Sequence, residues 1–220
     1  MARPGLVIFD CDGVLVDSEP ISLRLLLSML ASAGLDLAPA EADARFLGRS
    51  LASTREILAR DFSLTVSDAA LDDMRRDLYA AFRKDLQPIA GIGPTLDALG
   101  LPFCVASSSQ PERIELSLRV TGLWPRFEGR VFSSTMVARG KPAPDLFLYA
   151  AESLGHVPGD CLVVEDSPAG IMAAQAAGMR VVAFTGGGHA QSDRHRADVA
   201  SLKPDVIIDR MPALLDVLDA

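Results

Sequence analysis

The chain has no apolar run long enough for a membrane. Leu6-Val7-Ile8-Phe9 is cut off at once by Asp10, too short for the hydrophobic region of a signal peptide, and nowhere do 18 apolar residues follow one another. Cysteine is also sparse. Cys11, Cys104 and Cys161 are an odd number in 220 residues, which does not read as a disulfide framework. Both shortages point to a cytoplasmic protein. Positive charge is lacking too: 21 Lys and Arg against 29 Asp and Glu leave a net −8, which argues against a nucleic-acid or anionic-membrane partner. An anionic ligand would then need a local positive field from a metal, a placed Lys or helix N-termini. Core material is not lacking. With 49% hydrophobic and 23% charged residues, the chain is neither disordered nor collagen-like nor a coiled coil. Its length suits one large domain, or a large one with a small one.

Continuous short apolar runs at Leu6–Phe9, Phe103–Ala106, Cys161–Val164, Val181–Phe184 and Val206–Ile208, with a weaker one at Val131-Phe132, read as buried parallel strands. Helical patterns separate them: Pro111–Thr121, Asp145–Leu154 and Pro168–Ala177, each with Pro or Asp near its start and Gly just past its end. This alternation predicts an α/β fold, a Rossmann-like doubly wound parallel sheet. The stretch from Pro20 to Leu86 breaks the rhythm. Its patterns at Ile21–Ala33, Ala40–Phe46, Thr54–Ala59 and Asp68–Lys84 are all helix-like. We expect an inserted all-helical cap domain over 18–87, with hinges near Asp17–Glu19 and Gln87–Gly91, on a core of 1–17 and 88–220. Gly186-Gly187-Gly188 lacks the spacing of a nucleotide-binding motif and reads as a mobile loop.

In such sheets, ligands bind at the carboxyl ends of the strands. There the first strand offers Asp10-Cys11-Asp12-Gly13, the second Ser107-Ser108-Ser109, and the strand at Cys161–Val164 offers Glu165-Asp166-Ser167; Lys141 precedes a helix in Gly-Lys-Pro-Ala-Pro-Asp. A lone Asp after a strand is usually a turn former or helix cap, a Ser run a cap, and a lone Lys a solvated side chain. The convergence of all four clusters on one edge defeats these readings, because carboxylates at that density repel unless a cation joins them. Mg²⁺ favours carboxylate oxygens together with substrate phosphate. Asp10 and Asp166 can supply them, with Glu165 close by. Lys141 would neutralise the phosphate and Asp10, and Ser107 with nearby N–H groups would bind phosphate oxygens. With no free Cys or His at these strand ends, a carboxylate is the nucleophile, giving an aspartyl-phosphate that water hydrolyses. Asp12 can protonate the leaving alcohol and activate the water. Cys11 reads as packing.

Asp10-Cys11-Asp12-Gly13-Val14-Leu15-Val16-Asp17-Ser18-Glu19 resembles the first motif of haloacid-dehalogenase-like (HAD) phosphatases. Ser107, Lys141 and Glu165-Asp166-Ser167-Pro168-Ala169-Gly170 resemble the second, third and fourth, in order and across most of the chain. The resemblance implies a Rossmann-like core with a helical cap, Asp10 as nucleophile, Asp12 as acid/base, and Mg²⁺ held by Asp10, the Asp12 backbone carbonyl and Asp166. The dehalogenase branch lacks the second Asp of the first motif, so Asp12 implies phosphate chemistry.

The nearest subgroup contains β-phosphoglucomutase and sugar-phosphate phosphatases. Its caps carry a substrate-recognising loop, which falls at Leu47-Gly48-Arg49-Ser50. Arg49 and Glu19 therefore join Ser107, Ser108 and Lys141 as candidate substrate contacts. In the mutase branch the resemblance leads us to expect a His in the first cap helix and an Arg after the cap-loop Gly; those positions hold Ser22 and Leu51. Neither can carry positive charge, which favours a phosphatase of a small phosphorylated metabolite over a phosphomutase. A phosphoacceptor signalling domain or a regulatory protein on the same scaffold is the alternative of another class; the former is shorter and has no helical insert after its first strand. A monomer or weak dimer is expected.

Overall fold

The computed structural model describes residues 3–46 and 51–219. From the first strand, β1 (Leu6–Phe9), the chain enters α1 (Glu19–Ser32), α2 (Pro39–Phe46), α3 (Leu51–Phe62), α4 (Asp68–Asp85) and α5 (Ile92–Ala98). It then alternates: β2 (Phe103–Ser107), α6 (Pro111–Val120), α7 (Trp124–Phe127), β3 (Val131–Ser133), α8 (Asp145–Ser153), β4 (Cys161–Glu165), α9 (Pro168–Ala176), β5 (Arg180–Phe184), α10 (Asp193–Ser201), β6 (Val206–Ile208) and α11 (Ala213–Asp219). The strands form one parallel sheet in the order β3-β2-β1-β4-β5-β6. The chain moves outward from β1 through β2 to β3, then returns to β4 on the other side. The switch point, where such sheets open a crevice, therefore lies beyond the carboxyl ends of β2, β1 and β4.

The strand runs are continuous because both faces are covered. Val7, Phe9, Val105, Leu162, Val164, Val182 and Phe184 face a core completed by α5, α6, α7 and α11. Their neighbours Leu6, Ile8, Cys104, Ala106, Cys161, Val163, Val181 and Ala183 face a second core built on α8, α9 and α10. The expected strands are all present, β1 and β6 with the expected bounds and the other four one residue longer. β2 and β4 run one residue further, to the polar Ser107 and Glu165, because both still pair in register with Ser133 and Ala183. α1 begins at Glu19 instead of Ile21, because Pro20 in a first turn has no N–H to leave unsatisfied. α5, α7, α10 and α11 escaped the sequence pattern.

Leu26, Leu30, Ala42, Phe46, Ile57, Leu58, Val66 and Met74 give the helices α1 to α4 a core of their own. Their inner ends belong to the sheet: Ile21, Leu78, Phe82 and Leu86 pack with Phe9 and Val14. The chain segments into and out of this insert lie side by side. Asp17 donates its N–H to Gln87 O (3.0 Å) and Ile89 donates its own to Leu15 O (2.9 Å). Among the described residues no helix is long and apolar enough to cross a membrane.

Phe82 is fully buried where insert meets sheet, and the Arg113 guanidinium stands 5.2 Å from its ring centre. Phe82→Ala should therefore cost about 3–5 kcal/mol. Chemical denaturation checks this; a loss below about 1 kcal/mol would mean that this packing does not hold the insert in place.

Candidate active site

Asp10 stands just past β1, still tied to the sheet by its N–H donating to Val164 O (2.9 Å). The chain then turns tightly, with Gly13 at φ +81°. A Cβ there would meet Asp166 Oδ2 at 2.1 Å, so only glycine lets this turn lie against Asp166. Cys11 is buried in the sheet core, and burial with the neighbouring Asp12 and Asp10 charges pushes its thiol well up, so it packs and does not react.

Lys141 organises the centre. Its buried ammonium donates to Asp10 Oδ1 (2.8 Å), Ala106 O (3.0 Å) and Glu165 Oε1 (2.6 Å), which uses all three N–H donors. Glu165, fully buried, accepts through Oε2 from the Ser167 N–H (2.9 Å) and hydroxyl (3.0 Å). Ser167 in turn caps α9. Burial raises the Asp10 carboxyl well above its usual range; Lys141 opposes that, while Glu165, Asp166 and Asp12 add to it.

Asp12 has its own set of donors. Ser18 (2.5 Å) and Arg113 (2.8 Å) donate to Oδ1, and Ser109 (2.7 Å) to Oδ2. Burial would raise its pKa, yet Arg113 and these hydrogen bonds hold it below the usual carboxylate range. Ser107 is buried at the end of β2, and its hydroxyl accepts from the Ser109 N–H (3.1 Å).

Sequence reasoning missed two members. Arg113 lies in the first turn of α6, where a cation opposes the helix dipole; that conflict was the available signal. The other is His189, which comes from the loop after β5 and not from the three strand ends, which hold no His. Its Nε2 lies 2.7 Å from Asp166 Oδ2, off the ring N–H direction, so the contact is an ion pair rather than a directional hydrogen bond. Burial lowers its pKa, but Asp166, with Glu19 and Asp17 beyond, pushes it up to about 9. Nor are the preceding glycines a free loop: a Cβ on Gly186 would meet Asp209 O at 2.3 Å, one on Gly187 would meet His189 at 2.8 Å, and the Gly188 N–H donates to Asp17 (3.0 Å).

A cavity of about 890 Å³ opens over this cluster. Asp10, Asp12, Glu19, Ser107, Ser108, Lys141, Glu165 and Asp166 all line it, beside Arg113 and Ser22. Burial, then the Asp12 charge, pushes Glu19 up to about 7. Arg49, with its loop, lies outside the described residues. Oxygens of Asp10, Glu165 and Asp166 all fall within 4.8 Å of one another, a hard, anionic donor set that suits a divalent cation such as Mg²⁺.

The chain matches the haloacid dehalogenase-like hydrolases over residues 7–184. It is 32% identical to the 6-phosphogluconate phosphatase of Escherichia coli over 86% of both chains, and 33% identical to hexitol phosphatase A of the same organism over 80% of this chain and 81% of that one. The crystal structure of a conserved haloacid dehalogenase-like protein from Agrobacterium tumefaciens superimposes with a TM-score of 0.86 at 35% identity, covering 98% and 97% of the two chains. The chain belongs to the haloacid dehalogenase-like hydrolases, as a phosphoric monoester hydrolase.

Lys141→Met should strand two buried carboxylates and cost about 3–5 kcal/mol near pH 8. Asp10, whose carboxyl burial already holds above its usual range, would then lose the cation that opposes that rise, so stability returns as pH falls and it protonates. Melting temperatures in chelator at pH 8 and pH 5.5 test this: the deficit against wild type should shrink at the lower pH, and a constant deficit would refute it.

Proposed function

We propose that the protein is a Mg²⁺-dependent phosphatase of a sugar or polyol phosphate, working through an aspartyl-phosphate on Asp10. The observation that carries the reading is the Lys141 bridge: it binds Asp10 through Oδ1 alone, leaving Oδ2 for phosphorus. Asp10, Asp166 and the Asp12 backbone carbonyl would hold the metal; Glu165 lies in the same cluster, but its oxygens already serve Lys141 and Ser167. Bound there, Mg²⁺ supplies positive charge for the phosphoryl oxygens. Ser107 offers its hydroxyl as a further donor to them, Lys141 adds its charge while its three N–H groups stay on Asp10, Ala106 O and Glu165, and Ser108 flanks them.

Asp10 attacks phosphorus and the P–O bond to the alcohol breaks; Asp12, held ionised by Arg113, Ser18 and Ser109, takes up a proton as those contacts rearrange on substrate binding and gives it to the alcohol. Asp12 then takes a proton from water as water attacks the acyl phosphate, releasing inorganic phosphate and restoring Asp10. Ser18, at the start of the insert, is one of the donors on Asp12, so movement about the segments at 17–19 and 87–91 changes what Asp12 holds. Closure of the insert as a cap would also exclude water. The names of the two E. coli relatives, a gluconate phosphatase and a hexitol phosphatase, support a polyhydroxylated substrate, with Glu19 and Arg49 as contacts to its hydroxyls. The free thiols Cys11, Cys104 and Cys161 are buried and suit the reducing cytoplasm.

Asp10→Asn should lower turnover at least about 10³-fold while leaving the fold intact, since an amide is a poor nucleophile. Chelation should stop the wild type and added Mg²⁺ should restore it. A phosphate-release assay on a panel of sugar, polyol and sugar-acid phosphates measures both; substantial turnover by the variant removes Asp10 as nucleophile, and full activity in chelator removes the metal.

Among the described residues, the insert's wall of the cavity carries Arg55 and Arg75, but the position in the first cap helix to which the mutase resemblance points is not cationic. Ser22 is neutral, its hydroxyl donating to Ser18 O, and neither Arg83 nor Lys84 is among the residues lining the cavity. Phosphorus NMR of a sugar 1-phosphate with a trace of bisphosphate should show inorganic phosphate accumulating. Accumulation of the 6-phosphate isomer would make the protein a mutase.

A further inference from the structure

His189 is unexplained by hydrolysis itself. Its side chain is 3% exposed, and its Nδ1 is enclosed with no hydrogen-bond partner. Nε2 likewise has no directional hydrogen-bond partner among the described residues, but it lies 2.7 Å from Asp166 Oδ2 as an ion-pair contact. The chain is shaped around this approach. A Cβ on Gly13 would lie 2.7 Å from the imidazole Cε1 and one on Gly187 2.8 Å, so two glycines clear its place from either side. His195 packs edge-on at 5.2 Å between ring centres and fixes the ring plane. The Gly188 N–H to Asp17 (3.0 Å) anchors the loop that carries it.

We infer that His189 is a positioning residue for the metal site: it occupies Asp166 Oδ2 and so turns Oδ1 toward the cation. The inference rests on the reading of Asp166 as a metal ligand. Partners in the second shell commonly orient a ligating carboxylate, and their loss weakens metal binding without removing a ligand.

The test is calorimetric titration of the metal-stripped full-length protein with Mn²⁺, which reads binding with no turnover. His189→Ala should raise the Mn²⁺ dissociation constant about 10–100-fold, while His189→Gln, which keeps an N–H donor, should recover it to within about threefold of wild type. Melting curves in chelator confirm that each variant is folded; if the Ala variant is not, His189→Met fills the space without a donor and carries the same expectation. Unchanged or tighter Mn²⁺ binding by a folded variant lacking the donor overturns the inference, tighter binding meaning that His189 competes with the cation. Failure of Gln to recover binding also overturns it. A wild type that binds no Mn²⁺ would overturn the metal reading itself, an outcome distinguishable from the others because it appears before any substitution.

Discussion

One ammonium holds the three central strands at their functional ends. Lys141 reaches Asp10 after β1, the Ala106 carbonyl on β2 and Glu165 at the end of β4. These strands are neighbours in the sheet, so a single side chain sets the spacing of the first, second and fourth motifs. The Phe147 ring, 4.9 Å away, closes the apolar side. Burying such a triad gains little stability, because desolvation consumes most of the Coulombic attraction. What it secures is position: each partner has one allowed place, and removing any one leaves a buried charge without its match.

The rest of the site follows from the charge this arrangement leaves over. Asp10, Asp12, Glu19, Glu165 and Asp166 face Lys141, Arg113 and His189. Five carboxylates outnumber three cations; burial first, and then neighbouring carboxylate charges, raise the pKa values of Asp10 and Glu19. A divalent cation among Asp10, Glu165 and Asp166 would balance it before a phosphate arrives. In a protein of net charge −8, that is how a local positive field can exist at all.

Six of the site residues were legible from sequence, because each sits immediately beyond an apolar strand run or, for Lys141, ahead of a capped helix. Asp10, Asp12, Ser107, Glu165 and Asp166 needed only the rule that strand ends make the site, Lys141 its place ahead of a helix near them; the family resemblance then matched all of them to its four motifs. The two that were missed depend on contacts distant in sequence. Arg113 meets Asp12 across 101 residues, and nothing local to Pro111-Glu112-Arg113 names its partner, although its unfavourable place in a first turn marks it. His189 was hidden behind three glycines that look like slack and instead mark close backbone approach. Strands were easier to read than helices. A buried parallel strand is a continuous apolar run, whereas α5 and α11, with seven residues each, are too short to show periodicity.

The segment from Asp17 to Ser22 draws these strands of argument together. Asp17 receives the N–H of the loop that carries His189, Ser18 donates to Asp12, and Ser22 accepts from Arg113 at 3.4 Å while donating to Ser18 O. Within one short segment, the chain entering α1 touches the Asp12 carboxylate, the cation that holds it charged, and the loop beside Asp166. The same segment is bound to the outgoing chain by the hydrogen bond from Asp17 to Gln87. Were the insert to close as the proposed cap, the movement would be felt first at this segment, which lies between Leu15 and Val16 in the sheet core and the body of α1. A substrate that draws the insert inward would therefore alter the donors on Asp12 in the same motion that encloses it, so that proton transfer is coupled to closure through bonds already present in the structure.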